Sequence, residues 1–410
     1  MTYGIFQEYY LSHWRFHGNQ DTIGIIGTTS NGVMYLSMPF LFVAFSRRWA
    51  NLRRTTAFCG LAITCIGFLT SSFSTEVWHL VITQGILVAL GCALIYSPTT
   101  LSLSEYFSTN NRAIAYGVVL SSKNITGSVC PFLMQYLLDH FGFRTTIRIW
   151  TTIITGTGIL AIILMPVKPP WMTSSTSYRP RRIHWDFLHH STFYVYGIAI
   201  ILQSSGYGLP QTYLNSYATS VASLSATSSA LLITLFNAPG IISSSFFGFL
   251  IDNKRLPLSA NITTVISALT SAMALFLLWG FANSSETGKA LLIIFALIYG
   301  FFAGGYSATW GGIIKEMEQN ARDNNEPIDT GMIYGLFNGA RGLGFVGGGF
   351  IGVQLLKIDD KKIGKYGYGT IYGPLIIYTG LATAFGGWTI ILKCKYVMMK
   401  VMNFLRSILI

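Results

Sequence analysis

Charge is scarce in this chain. Asp, Glu, Lys and Arg make up 10% of its 410 residues, against about a quarter in soluble proteins. So few charges cannot cover the surface of a soluble fold. Disorder is excluded too, because 51% of the residues are hydrophobic and apolar burial is abundant. Acidic side chains are the scarcest, 15 against 27 Lys and Arg, and all 15 fall in loops or at the ends of apolar runs. Cysteine is rare, and Cys59, Cys65, Cys92 and Cys130 sit inside apolar runs without metal-ligand spacing, as small packing residues do. No G-x-x-x-x-G-K-[ST] motif occurs, so ATP-driven chemistry is not supported. No apolar run holds paired carboxylates or a histidine cluster, so neither an enzyme, a metal nor a cofactor is expected.

What the chain does have is long charge-free stretches. Residues 22–45, 55–74, 77–103, 149–167, 256–285, 290–314 and 366–392 contain no Lys, Arg, Asp or Glu. The stretch 187–251 is also free of them, and is long enough for two helices around a polar turn. Two more runs are interrupted once each: 113–138 by Lys123 and 330–356 by Arg341. A helix needs roughly 20 apolar residues to cross a bilayer, so these runs predict eleven full spans. They are too long for barrel strands and do not alternate. The expectation is an all-α polytopic membrane protein, with the lipid bilayer as a partner. The +12 net charge then reads as basic cytoplasmic loops, not as a nucleic-acid surface.

Two internal echoes give the organisation. Tyr3-Gly4-Ile5-Phe6-Gln7-Glu8-Tyr9 shares the pattern Y-G-[IL]-x-Q-x-Y with Tyr207-Gly208-Leu209-Pro210-Gln211-Thr212-Tyr213. In the second copy an apolar stretch precedes the pattern; in the first it does not, so the first helix is expected to be only a stub. Tyr116-Gly117, followed by Lys123, matches Tyr334-Gly335, followed by Arg341, at the same spacing. The echoes set span 1 against span 7 and span 5 against span 11, a parallel six-plus-six repeat. The expected division is 1–165 for the first half and 166–190 for a cytoplasmic linker. Residues 191–392 then form the second half and 393–410 a basic tail. With the first helix ending outside, the inner side holds 17 Lys and Arg and the outer loops 8, which supports this orientation.

The stretch 85–148 carries Gly85, Gly91, Tyr96-Ser97-Pro98, Tyr106-Phe107, Arg112, Ala113, Ala115, Gly117 and Gly127, then His140-Phe141-Gly142-Phe143-Arg144. The second half carries Tyr299-Gly300-Phe301-Phe302-Ala303-Gly304-Gly305-Tyr306 and Asn338-Gly339-Ala340-Arg341-Gly342. On these residues the chain resembles the monocarboxylate-transporter branch of the major facilitator superfamily, especially its fungal members. The resemblance implies the major facilitator fold, two pseudo-symmetric six-helix halves, and transport. The sequence departs from the family at three places. Its loop at 46–54 keeps the basic residues and lacks the family's Asp, most of span 1 is absent, and 240–248 carries no charge where an arginine is often found.

Lys123 and Arg341 lie about ten residues inside their spans, so roughly 15 Å from the cytoplasmic helix end. That is near the bilayer midplane, where an unpaired cation costs about 2.5–3.5 kcal/mol. No acidic residue lies at that depth to neutralise them. Two central cations without counter-ions predict an anionic ligand. The competing reading is that they bond backbone carbonyls or snorkel. Asn338, Asn124, Asn237, Tyr96 and Tyr306 are candidate partners in a substrate site, with Gln84, Gln203 and Trp310 also within spans. Interhelical hydrogen bonding is the competing role for each. Gly342-Leu343-Gly344-Phe345-Val346-Gly347 matches a dinucleotide pattern, but no strand precedes it, so close helix packing is expected there.

The expected function is a secondary active or facilitative transporter of small organic anions, monocarboxylates foremost, working by alternating access. A co-transported proton is expected, with Lys123 as its carrier; a plain uniporter is the alternative. The plasma membrane is the expected location. The rival class is a non-transporting membrane sensor, partner subunit or inactive truncated paralogue.

Overall fold

The computed structural model describes residues 3–13, 22–46, 49–106, 112–165, 184–252, 258–358 and 366–390. Most of the expected linker, 166–183, and the expected tail, 393–410, lie outside the described residues. Among the described residues there is no β-strand. Thirteen α-helical segments follow one another in the described residues. In the first half they are α1 (Tyr3–Ser12), α2 (Ile23–Ser46), α3 (Arg53–Ser71), α4 (Val77–Leu80), α5 (Val88–Tyr106) and α6 (Arg112–Leu164). In the second they are α7 (Ser191–Ser220), α8 (Ala226–Asp252), α9 (Ala260–Ala274), α10 (Glu286–Gly305), α11 (Thr309–Asp323), α12 (Thr330–Lys357) and α13 (Gly373–Phe385). A π-helical turn, Val81–Leu87, joins α4 to α5 as one span.

Among the described residues, six stretches are long and apolar enough to cross a membrane: Ala50–Ser71, Val77–Leu103, Gly117–Leu164, Ala226–Ile251, Ala260–Trp279 and Glu286–Asp323. The helices α2, α7 and α12 have 24, 30 and 28 residues, long enough to span, but are diluted by Gly, Ser, Thr, Asn and Tyr. The α12 helix packs on both α2 and α7, and the inward faces of the three are buried against other helices. The outer faces are the reverse: Phe40, Leu164 and Ile242 stand open at the surface, an exposure that suits hydrocarbon and not water.

The segment labelled α6 is two helices, the expected spans 5 and 6, which meet at Gly142 (φ 69°) with a tight break where the charged residues between the two apolar runs predict an outer loop. A left-handed φ is open to glycine at no steric cost, so one residue reverses the path that a loop was expected to make. Helix starts elsewhere use side-chain caps: Ser259 accepts from the Ile262 N–H, Ser285 from Gly288 and Asp329 from Met332.

The halves of the chain meet along three helix pairs. The α6 helix lies on α8, α2 lies on α12, and the short α1 rests on α7. A Cβ on Gly4 would come 2.9 Å from the Gln211 carbonyl oxygen, so the α1 and α7 backbones nearly touch. The Asn215 amide of α7 donates to the Gly4 carbonyl at 3.4 Å, and the Tyr3 hydroxyl donates to the Ile23 carbonyl of α2. The largest buried cluster joins the halves, with Tyr35 and Phe42 from α2, Tyr207 and Leu209 from α7, Trp310 from α11, and Phe337 and Phe345 from α12.

Candidate functional site

Lys123 and Arg341 each stand eleven residues beyond the first residue of their helices, Arg112 and Thr330. At 1.5 Å per residue each lies about 16 Å along its axis. Glycines decide where Arg341 goes. A Cβ on Gly342 would lie 2.5 Å from the Leu36 nitrogen, and one on Gly348 would lie 2.0 Å from the Ser205 carbonyl oxygen. The α12 backbone is therefore pressed against α2 on one side and α7 on the other. Arg341 is carried into the wedge between them and is 5% exposed.

Rings surround it there. The Arg341 Cζ is 5.1 Å from the Tyr35 ring centroid, 5.6 Å from Tyr207, 5.5 Å from Trp310 and 5.7 Å from Phe345. Four helices, α2, α7, α11 and α12, each supply one ring. Cations within about 6 Å of a ring face are attracted to it, by roughly 2 kcal/mol when desolvated. The Lys123 Nζ, arriving from the other half on α6, lies 5.9 Å from the same Tyr207 ring. Cations from both halves thus share one tyrosine of α7. Among the described residues neither cation has a hydrogen-bond or ion-pair partner, and the buried Arg341 Nε is unpartnered.

The other expected site residues divide. Tyr96 of α5 makes an edge contact with Tyr35, centroids 6.4 Å apart, and so backs the ring cluster. Asn338 is buried one turn from Arg341, with its amide donating to the Tyr334 carbonyl of its own helix at 2.8 Å. The Asn237 amide does the same to Ile233 at 2.8 Å. Asn124 packs against Gly240 and donates to the Ser244 hydroxyl at 3.4 Å, tying α6 to α8. The Tyr306 hydroxyl donates to the Gly386 carbonyl at 3.0 Å. Gln84 lies elsewhere, lining a cavity of about 150 Å³ in the first half with Tyr3 and Asn31.

Sequence reasoning missed Tyr35, Tyr207 and Phe345 as site residues. Tyr207 had a signal, since it opens the second copy of the Y-G-x-x-Q-x-Y echo, and Phe345 sits within the glycine pattern after Arg341. The glycine pattern does pack helices: Gly342 meets α2 and Gly344 meets α7, where a Cβ would lie 2.5 Å from the Ile201 carbonyl oxygen.

The sequence profile described as the Major Facilitator Superfamily matches residues 2–349. An MFS-type transporter of Gibberella moniliformis is 25% identical over 77% of this chain and 72% of its own length. The MFS-type transporter pynF of Aspergillus niger is 23% identical over 96% of this chain and 84% of its own. Monocarboxylate transporter 12-B of Danio rerio is 26% identical over 62% of this chain and 58% of its own. In structure, the chain is similar to the human organic anion transporter MFSD10 (TETRAN), with a TM-score of 0.60 over 95% of this chain and 89% of that one. At 11% identity this last likeness speaks to the fold.

Proposed function

The chain belongs to the Major Facilitator Superfamily, an integral membrane transporter family and not an enzyme family, and from that premise we propose that it carries small organic anions, monocarboxylates first among them. One observation carries this reading. Lys123 and Arg341 come from the two halves of the chain, lie 5.9 and 5.6 Å from the centroid of the same Tyr207 ring, and have no counter-ion among the described residues. A buried cation left unpaired is costly, and a bound carboxylate would supply the missing charge. Arg341, always protonated, acts as a fixed clamp through charge-assisted hydrogen bonds from its guanidinium. Lys123 carries the proton that accompanies the anion, making the cycle an electroneutral symport.

Alternating access follows from where the charges sit. The anion ties a helix of residues 1–165 to a helix of 191–392, and the two halves rock about it, with 166–190 as the link between them. The plasma membrane is the proposed location.

The test is uptake of labelled lactate, pyruvate and acetate into proteoliposomes holding the purified protein. Saturable uptake that vanishes in Arg341→Ala is expected. Saturable uptake that survives Arg341→Ala unchanged, or no anion uptake at all by folded protein, would overturn the reading.

A further inference from the structure

A groove of about 490 Å³ opens on the outer face of the bundle between α2, α7 and α12. We infer that it holds one acyl chain of a phospholipid, and that the seated chain clamps the two halves in their present arrangement, whichever solute is carried. The lining does not suit an anion. None of its side chains is charged, and their only polar atoms are the indole nitrogen of Trp185 and the hydroxyl of Tyr194. The rim belongs to the surface that suits hydrocarbon: Phe40 is 77% exposed and Leu343 53%. A groove continuous with that surface fills from the bilayer, because water entering it would find almost no hydrogen-bond partner.

Its length and depth are those of one leaflet. Met332 and Leu343 of α12 both line it, eleven residues apart, which is about 16 Å along the helix. Half of a bilayer's hydrocarbon core is about 15 Å. Trp185 and Tyr194 stand exposed at the end where α7 begins, the place such residues take at a membrane–water boundary. The hollow itself comes from small residues. A Cβ on Gly197 would meet nothing within 4 Å. The walls come from both halves: α2 from the first, α7 and α12 from the second. The groove exists only while α2 lies on α12. An occupant therefore binds this arrangement better than one in which the halves have parted there, and shifts the population toward it. Phe337 in the groove stacks on Phe193 at 5.7 Å and lies 6.1 Å from Trp310, one of the rings around Arg341. The acyl chain is thus one ring removed from the cationic site.

Photolabelling tests this. The protein is placed in nanodiscs containing a phosphatidylcholine with a diazirine on one acyl chain, and adducts are mapped by mass spectrometry. Phe40 and Leu343 are expected to be labelled at least fivefold more than Leu164 and Ile242, which are also open to lipid but lie outside the groove. Gly197→Phe puts a ring into the groove and should lower its labelling to that background. Gly156→Phe adds the same ring at a glycine of α6 that also has nothing within 4 Å, and should leave groove labelling unchanged. In detergent, adding back phosphatidylcholine should raise the thermal midpoint of the wild type and of Gly156→Phe, and not that of Gly197→Phe. Equal labelling at all four positions, or groove labelling that survives in folded Gly197→Phe, would overturn the inference. Groove labelling that appears only after removal of residues 393–410 would overturn it too, by assigning the groove to that segment. A midpoint raised equally in all three proteins would overturn the clamp.

Discussion

Of the three helix pairs that join the halves of this protein, the two larger ones are built from different chemistry. At α6–α8 the contact is polar. The Ser121 hydroxyl reaches the Ile241 carbonyl at 2.6 Å, Thr234 donates to the Ser128 carbonyl at 2.9 Å, and Asn124 donates to Ser244. At α2–α12 the contact is dry and close. Gly32 faces Val346 and the Gly342 carbonyl, Gly335 faces Phe42, and Gly339 faces Pro39. The internal echo that aligns Lys123 with Arg341 aligns the helices that carry them, one per interface. In lipid, helices associate by close packing of small residues or by hydrogen bonds, since no hydrophobic force drives them together. The arginine helix meets α2 by close approach, whereas the lysine helix adds interhelical hydrogen bonds to a close approach of its own, a Cβ on Gly117 lying 2.9 Å from the Ser244 carbonyl oxygen. The dry side yields a caged, fixed cation. The polar side leaves Lys123 half-buried and flanked by Ser121 and Asn124.

The largest expected effect breaks the dry side's charge. Truncating one partner of a buried, hydrogen-bonded charge pair costs about 2–5 kcal/mol, so Arg341→Ala should weaken carboxylate binding by roughly 30-fold or more at every pH. Isothermal titration of the folded variant with lactate checks it. Unchanged affinity would mean that the caged arginine is structural, and the contrast between the two cations would lose its functional meaning.

The next effect removes the packing that makes the dry side dry. Gly342→Ala puts a Cβ 2.5 Å from the Leu36 nitrogen and 2.8 Å from the Gly32 carbonyl oxygen, both backbone atoms that cannot swing aside. Overpacking of this kind costs about 1–3 kcal/mol. Gly347, five residues on, has nothing within 4 Å of its virtual Cβ, so Gly347→Ala should be neutral or slightly stabilising. Thermal unfolding of the two variants in one detergent should move in opposite directions.

Much of this is legible in the sequence. Charge-free runs marked the spans because lipid tolerates little else, and Lys123 and Arg341 stood out as the two interruptions. Their matched depth followed from the echo. The ring cage was not legible. Aromatic residues make up 14% of the chain, so nothing singles out Tyr35, and the echo and the glycine pattern that hold Tyr207 and Phe345 do not say that the three share a site. They converge because Gly208, Gly344 and Gly348 let α7 and α12 approach, which is a tertiary fact. The asparagines were ambiguous for a different reason. Whether an amide within a span faces a ligand or the carbonyl one turn back is a rotamer choice, and Asn237 and Asn338 take the carbonyl. The break at Gly142 was hidden because one glycine replaced the loop that a polar stretch suggested.

If Lys123 is the proton carrier, anion uptake should rise several-fold as the pH falls from 8 to 5. In Lys123→Arg the side chain stays charged throughout, so binding should persist while the pH dependence flattens. Uptake into proteoliposomes at fixed anion concentration across that range reads it out. A profile identical to the wild type would remove Lys123 from the proton path and make both cations fixed charges.

The smallest effect concerns the hydrogen bonds on the polar side. Interhelical hydrogen bonds in membranes average about 0.6 kcal/mol, because the separated helices find other partners. Ser121 has such a partner at hand: besides Ile241 on α8, its hydroxyl lies 2.9 Å from the Gly117 carbonyl of its own helix. Losing the hydroxyl in Ser121→Ala leaves the Ile241 carbonyl with its own helical bond, and the half-buried Ser245 hydroxyl loses only a long contact of 3.4 Å. The substitution should therefore lower stability by about 0.5 kcal/mol, well below the cost of one methyl group at Gly342 on the other interface. Paired thermal unfolding of Ser121→Ala and Gly342→Ala measures the difference. If the serine variant were the more damaged of the two, directional bonds and not close approach would be what holds the halves together, and the polar interface would be the principal one.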